Sequence, residues 1–281
     1  MSARAQEALR AAVERLRAVG VPDPAHDARL LLAEALGIAP GRLTLQLPDP
    51  LAPDAASAFE RMIAARAARQ PVAQILGRRL FWGRAFAVTP DVLDPRPETE
   101  TLIAAALDAP FRRVLDLGTG SGAILLTLLA ERPVATGMGC DLSAAALAVA
   151  RENAQALGLG SRATLCRSDW FSSVRGSFDL IVSNPPYIAA PELAQLAPEP
   201  RDWEPRMALV PAGDDGSGLG AYRAILAGLG PHLAPRGRLV VEIGAAQGRA
   251  VAALFLARGL AQVRVLRDLD GRDRVVCGLR A

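Results

Sequence analysis

One tetrapeptide in the chain combines groups that can hold a nitrogen atom, namely Asn184, Pro185, Pro186 and Tyr187. It follows residues 178–183, an apolar run that is typical of a buried parallel strand. Because prolines supply no N–H, the Asn184 side-chain oxygen and the Pro185 carbonyl can accept both hydrogens of one NH₂ group. Tyr187 adds a flat face for stacking. We predict a receptor for a planar amine or amide nitrogen; the competing interpretation is a plain Pro-Pro turn that closes the strand.

A glycine loop follows another predicted strand, residues 114–117, and reads Gly118, Thr119, Gly120, Ser121, Gly122. Glycines at this place let a ligand approach the backbone and leave the N-terminus of the next helix open. In the dinucleotide fingerprint, two residues separate the second glycine from the third. Here only Ser121 separates them. The spacing therefore argues against NAD or FAD.

Polar and aromatic residues end two further predicted strands. Asp141 lies about 20 residues beyond the loop, where a carboxylate can accept hydrogen bonds from both hydroxyls of a ribose. Asp169 can accept from the amino group of adenine, and Trp170 can form an apolar wall for the ring. Ribose recognition without a pyrophosphate fingerprint indicates an adenosine cofactor such as S-adenosylmethionine. Four successive strand ends then converge on one crevice.

These groups require a scaffold, and the hydrophobic periodicity predicts one. Helices are expected over residues 2–19, 24–36 and 54–69, and alternation over 72–89 predicts a β-hairpin. From residue 112 the pattern alternates strand and helix, which predicts a parallel, doubly wound sheet. The two final strands are so close in sequence that they are expected to form an antiparallel hairpin at the sheet edge. We expect a helical domain over 1–71, a hairpin linker over 72–92 and a catalytic domain over 93–281.

The composition excludes several kinds of active site. The chain has 281 residues, is 51% hydrophobic and carries a net charge of +3. All 32 basic residues are Arg, which excludes a lysine Schiff base and a P-loop lysine. The three cysteines are scattered and there are two histidines, so we expect no metal site. With no apolar run of membrane-spanning length and no signal-peptide pattern, we expect a cytoplasmic protein.

Several charged residues have ordinary structural interpretations. Arg61, Arg66 and Arg69 on the third helix are expected to form a solvated face rather than a partner-binding face. His26 is expected at the surface or in a helix cap. Arg96 is expected in a surface ion pair, and Thr99 or its acidic neighbours are expected to cap the helix that follows.

Together these motifs resemble the HemK-type (PrmC) glutamine N5-methyltransferases that modify peptide chain release factors. The matching stretches are Pro95–Glu100, Asp116–Gly122, Ser168–Phe171, Ser183–Tyr187 and Asp268–Val276. The resemblance covers nearly the whole length. Asp94 departs from the family pattern, which usually has an apolar residue there.

The resemblance implies a class I S-adenosylmethionine-dependent methyltransferase fold, Rossmann-like, with a seven-stranded sheet whose last strand is antiparallel. It implies S-adenosylmethionine as methyl donor, S-adenosylhomocysteine as product, and the glutamine of a Gly-Gly-Gln loop in class 1 release factors as acceptor. Gly118 and Gly120 would lie against the cofactor, Asp141 would hold its ribose, and Trp170 would border its adenine. Asn184 would bind the acceptor nitrogen.

Other functions stay open at this point. A glutamine methyltransferase for a ribosomal protein would use the same chemistry, and so would an amino-methyltransferase acting on nucleic acid. The latter is not expected, because the sequence has no evident target-recognition domain and only a thin basic surplus. A catalytically silent module that binds S-adenosylmethionine is a further alternative, which intact Asn184 and Tyr187 disfavour.

Overall fold

The structure is a computed structural model that describes residues 4–281. The chain divides into two compact units, a smaller one that ends at Gly77 and a larger one, Arg78–Ala281. None of the helices within the described range is both long and apolar enough to cross a membrane.

The smaller unit is helical. Its helices are α1 (Ala5–Ala18), α2 (Pro24–Ala35), α3 (Leu43–Gln46), α4 (Pro53–Ala67) and α5 (Val72–Leu76). Proline in the first turn begins α2 and α4, where its missing N–H would have no intrahelical partner. The three longer helices, α1, α2 and α4, bury Leu16, Leu31, Leu32, Phe59 and Ile63 in one apolar core.

The prediction of a solvated arginine face on α4 is wrong for Arg66. Its side chain is buried, and Nε donates to Asp27 Oδ2 at 2.7 Å. Arg69 donates from Nη1 to the carbonyls of Val19 and Gly20. Arg61 is exposed as expected. The arginines differ because α2 supplies a carboxylate partner 39 residues away in sequence, which helix periodicity does not reveal.

The predicted hairpin begins later than the alternation suggested. Residues 72–76 form α5, because Pro71 starts a helical turn and Gly77, at φ +68°, ends it. The hairpin itself comprises β1 (Arg78–Phe81) and β2 (Arg84–Ala87), which pair antiparallel.

The larger unit is built on one seven-stranded sheet, which confirms the predicted fold. Its strands are β3 (Arg113–Leu117), β4 (Thr136–Asp141), β5 (Ala163–Arg167), β6 (Phe178–Ser183), β7 (Leu233–Glu242), β8 (Leu260–Arg267) and β9 (Asp273–Arg280). The spatial order is β5-β4-β3-β6-β7-β9-β8. β9 runs antiparallel to both β7 and β8, and the other neighbouring pairs are parallel.

Helices cover both faces of this sheet. They are α6 (Glu100–Leu107), α7 (Ala123–Glu131), α8 (Ala144–Ala156), α11 (Gly220–Gly228) and α12 (Gly248–Ala257), whereas the short helices α9 (Pro198–Trp203) and α10 (Arg206–Leu209) lie in the connection between β6 and α11. Alternate residues of each strand enter opposite apolar layers: Leu180 and Val182 pack with α6 and α7, while Ile181 packs with α11. The short helices α9 and α10 lie in a stretch for which the sequence pattern predicted no element.

Candidate active site

The sheet order itself opens a crevice. β3 lies between β4 and β6, so the strands that follow β3 are added first on one side of it, as β4 and β5, and then on the other, beginning with β6. At such a reversal the connections diverge at the carboxyl ends of the strands, which is where open α/β sheets bind ligands. A cavity of about 770 Å³ lies there.

Most of the predicted site residues line this one cavity. They are Gly118, Thr119, Gly120, Ser121, Asp141, Asp169, Trp170, Asn184 and Pro186. Gly122, Pro185 and Tyr187 are not part of its wall. Gly122 packs inward, since a Cβ there would approach Leu126 Cδ1 to 3.0 Å. Pro185 is buried and Tyr187 is half-buried.

The glycine loop presents bare backbone to the cavity. Gly118 and Gly120 have φ of +70° and +55°, a conformation that other residues adopt only with strain. Apart from the glycine itself and its two chain neighbours, no atom of the described chain lies within 4 Å of a Cβ built at either position. The two positions therefore combine a left-handed backbone with open space, as a close ligand contact requires.

A buried carboxylate supports the loop from below. Asp116 Oδ2 accepts from Thr119 Oγ1 at 2.6 Å and from Leu125 N at 3.3 Å, which ties the loop to the first turn of α7. Burial raises the pKa of Asp116 to about 7, although these two hydrogen bonds act in the opposite direction. Asp116 belongs to the motif Asp116–Gly122, but the sequence pattern indicated no role for its side chain.

Asp141 is already engaged with the backbone. Its Oδ2 accepts from Gly120 N at 2.9 Å and its Oδ1 accepts from Ser143 N at 2.8 Å. Each carboxylate oxygen has a second acceptor position. Asp141 can thus hold the loop and still accept hydrogen bonds from a ligand in the cavity.

Trp170 is held in a left-handed backbone conformation, with φ of +46°. Its carbonyl accepts from Ser168 Oγ at 2.8 Å and from Cys140 Sγ at 3.4 Å. These two contacts offset the strain and keep the indole at the cavity wall. Asp169 beside it is exposed. The motif Ser168–Phe171 contains both this pair and the supporting serine, but it did not indicate the role of Ser168.

Asn184 follows β6 directly. Its Nδ2 donates to Thr99 Oγ1 at 3.4 Å, and its Oδ1 has no hydrogen-bond partner within residues 4–281. Nearby, the Tyr187 carbonyl accepts from Gln247 Nε2 at 2.9 Å, which holds the end of the Asn-Pro-Pro-Tyr segment. Burial raises the pKa of Tyr187 to about 12, so its hydroxyl is neutral at pH 7. The site therefore offers an amide oxygen to a hydrogen-bond donor in the cavity.

The segment before α6 differs from its expected behaviour. Thr99 occupies the N-cap position of α6, but its side chain forms no cap hydrogen bond and contacts Asn184 instead. The expected surface ion pair of Arg96 is partly buried: Nη2 lies 2.7 Å from both carboxylate oxygens of Glu204, whose side chain is fully buried. Arg96 thus joins the wall residues before α6 to the segment containing α9 and α10.

Asp94 lies in the same cluster and is buried. Its carboxylate is 3.8 Å from Arg79 and 3.8 Å from Arg96. Burial raises the pKa of Asp94, and the two arginines act against that shift. Within residues 4–281, no group of three or more His, Cys, Asp or Glu side chains is arranged to hold a metal ion.

Two protein-family models match the chain. The family described as PrmC N-terminal domain matches residues 7–77, and the family described as Methyltransferase small domain matches residues 93–197. A release factor glutamine methyltransferase of Cereibacter sphaeroides is 66% identical over 273 residues, covering 97% of each chain. One of Rhodospirillum rubrum is 46% identical over 269 residues, covering 95% of this chain and 82% of the relative.

Solved structures agree at the level of the fold. A methyltransferase from Pyrococcus furiosus superimposes with a TM-score of 0.55 at 16% identity, covering 80% of this chain and 99% of that one. The hMettl16 catalytic domain in complex with MAT2A 3'UTR hairpin 1 gives 0.56 at 15% identity, covering 78% and 80%. At these identities the likeness concerns the arrangement of strands and helices alone.

Proposed function

The chain belongs to the family of release factor glutamine methyltransferases, and from this premise we propose that it methylates the glutamine of the Gly-Gly-Gln loop in class 1 peptide chain release factors. The methyl group comes from S-adenosylmethionine and is transferred to the side-chain amide nitrogen, N5. The observation that carries the proposal is that Asn184, whose Nδ2 is taken up by Thr99 while its Oδ1 has no partner in the described chain, lines the same cavity as the glycine loop and Asp141.

The cavity residues suit the cofactor. Gly118 and Gly120 leave room for close backbone contact, and the free acceptor positions of Asp141 suit the two ribose hydroxyls. Trp170 would border the adenine, and Asp169 would accept from its amino group. When bound, S-adenosylmethionine supplies a methyl group on a positively charged sulfur and is converted to S-adenosylhomocysteine.

The protein must then present a poor nucleophile in the right orientation. The lone pair of an amide nitrogen is delocalised into its carbonyl, so positioning is the main contribution available. Asn184 Oδ1 would accept one N–H of the glutamine amide and the neighbouring Pro185 carbonyl the other, while Pro186 and Tyr187 shape the slot. Positioning of this kind can supply up to about 7–11 kcal/mol.

Recognition of the protein substrate is proposed for the helical N-terminal domain, predicted as residues 1–71. The predicted linker, 72–92, begins with α5 and continues with the hairpin of β1 and β2, and the catalytic domain is predicted as residues 93–281. The match of residues 7–77 to the PrmC N-terminal domain supports this assignment. The proposed location is the cytoplasm, where release factors act, and neither a membrane nor a nucleic acid is a proposed partner.

The experiment uses labelled S-adenosylmethionine with three acceptors: an intact release factor, its Gln→Ala variant in the Gly-Gly-Gln loop, and a short peptide carrying that loop. We expect one methyl group on the loop glutamine of the intact factor, far less on the peptide, and none on the Gln→Ala variant. Asn184→Ala is expected to slow transfer about 10²–10³-fold with unchanged cofactor affinity, as loss of one aligned hydrogen bond does.

Mass spectrometry locates the methyl group. Methylation of a ribosomal protein or of a nucleobase, with none on the release factor, would overturn the assignment of the substrate. Equal methylation of peptide and intact factor would overturn the role of the N-terminal domain.

A further inference from the structure

Glu242, the last residue of β7, is a buried carboxylate that the function above does not use. It is 1% exposed, and its Oε2 has no hydrogen-bond partner in the described chain. An unsatisfied charged group in a protein interior is costly, so its presence calls for a compensating role. It does not line the cofactor cavity.

The register of the sheet places Glu242 beside Asn184. β6 and β7 are parallel neighbours in which Ser183 pairs with Val241. If this register continues by one residue, Asn184, which directly follows β6, lies opposite Glu242, the last residue of β7. Their side chains then point to the same face of the sheet.

Helix α6 covers that face. Arg238, four residues before Glu242 on β7, donates to the carbonyls of Ala105, Ala106 and Ala109 at the C-terminal end of α6. The N-terminal end of the same helix is preceded by Thr99, which is 4% exposed. Arg238 of β7 thus contacts the C-terminal end of α6, and the contact of Asn184 with Thr99 places the N-terminal end of the helix at the end of β6.

The Thr99 hydroxyl joins the two strand ends. It accepts from Asn184 Nδ2 at 3.4 Å, and its side chain acts on the Glu242 carboxylate, whose pKa it lowers against the effect of burial. A hydroxyl carries one hydrogen, and an ionised carboxylate can only accept. If Thr99 bonds to an ionised Glu242 it does so as the donor, and its oxygen is then left to accept from Asn184.

We propose that Glu242 is a positioning residue for the methyl transfer, and that through Thr99 it holds the Asn184 amide with Oδ1 towards the acceptor nitrogen. A protonated Glu242 donates to Thr99, whose hydrogen then turns to Asn184 Oδ1. The amide is thereby turned so that its NH₂ faces the cavity, where it opposes the NH₂ of a substrate amide. The inference rests on the proposed function for its kinetic consequence but not for the hydrogen-bond chain itself.

The switch between these two arrangements falls near neutral pH. Burial raises the pKa of Glu242 to about 7, while the Thr99 hydrogen bond and the charge of Arg274 act against that shift. The other charged or titratable groups facing it are Glu98, Arg96, Tyr187 and Tyr222. Both tyrosines are neutral in this range, because burial raises the pKa of each. Glu242 is therefore the group of this cluster that changes charge near pH 7.

The hydrogen-bond chain is tested without substrate by NMR of protein labelled at the asparagine side-chain amides. The Asn184 signals are identified by their absence in Asn184→Ala. Their chemical shifts are expected to change with pH around a midpoint of about pH 7. In Glu242→Gln and Thr99→Val, both close in shape to the native residues, the shift is expected to vanish. Thr99→Ser keeps the hydroxyl and is expected to retain it. Asn184 signals that titrate unchanged in Glu242→Gln, or do not titrate in the wild type, would overturn the proposal.

The kinetic arm measures single turnover at saturating cofactor, with a release factor as acceptor. The wild-type rate is expected to rise about tenfold between about pH 6 and about pH 8, as one group with a midpoint near 7 ionises. Glu242→Gln and Thr99→Val are expected to lose this rise, and Thr99→Ser to keep it, with cofactor affinity equal in all four proteins. A rise that persists in Glu242→Gln would overturn the positioning role. Absence of transfer by the wild type would instead overturn the proposed function and leave the NMR result to decide the hydrogen-bond chain.

Discussion

Asp141→Asn separates two roles that one carboxylate combines. The side chain accepts from two backbone N–H groups, at Gly120 and Ser143, and faces the cavity with its remaining acceptor positions. Asparagine has the same size, but its NH₂ cannot accept a hydrogen bond. The variant therefore loses one acceptor oxygen. It also loses the negative charge that strengthens the hydrogen bonds both to the backbone and to a ligand in the cavity.

The expected loss follows from the bonds involved. A hydrogen bond to a charged group contributes about 1.5–3 kcal/mol, so the affinity for S-adenosylhomocysteine is expected to fall about 10- to 150-fold. Titration calorimetry measures it. Asp91→Asn is the matched control, because Asp91 is exposed, lines the same cavity and carries the same charge. Its expected effect is less than about threefold, since no hydrogen bond to the glycine loop is lost.

A double-mutant cycle with the ligand distinguishes the two roles. Removing the 2′-hydroxyl from S-adenosylhomocysteine is expected to weaken binding to the wild type by about 1.5–3 kcal/mol and binding to Asp141→Asn by clearly less. Equal losses in both proteins would mean that Asp141 only holds the loop. The assignment of the ribose to this carboxylate would then be refuted.

Two further predictions concern residues that pack against the site without lining the cavity. Gly218→Ala is expected to destabilise the protein by at least about 1 kcal/mol more than Gly216→Ala in denaturant unfolding, and to slow methyl transfer. Both glycines have positive φ, but only at Gly218 would a Cβ overlap the Tyr187 carbonyl, so equal effects would contradict the packing argument. Asn153→Leu is expected to cost about 2–4 kcal/mol of unfolding free energy, because the buried amide forms three hydrogen bonds, to β2 and to the glycine loop. Gln155→Leu, at an exposed position of the same helix, is the control, and a similar loss there would show that the three bonds contribute little.

The parts of the fold that sequence predicted well depend on local signals. The apolar run before Asn184 predicted β6 at its observed bounds, and the short connection around Asp270 predicted the β8–β9 hairpin. Parallel strands place their carboxyl ends at one edge, so residues that end strands, such as Asp141 and Asn184, were expected together. They line one cavity.

The features that sequence missed depend on pairs far apart in the chain. Arg66 on α4 is buried because it pairs with Asp27, which is 39 residues away in sequence. Arg96 is partly buried because it pairs with Glu204, which is 108 residues away. Neither partner is marked by a motif, and an arginine on a helix is exposed more often than buried. Such pairs become visible only when the packing of the elements is known.

Glu242 shows which kind of information was missing. The alternation of strand and helix from residue 112 predicted strands in this part of the chain, but a glutamate at the end of a strand has no special meaning by itself. Once β6 and β7 are known to be neighbours, the pairing of Ser183 with Val241 is enough to bring Glu242 level with Asn184. The α6 contacts then place Thr99 between them. Strand order and register, rather than any further motif, therefore connect a residue that the sequence identified with one that it did not.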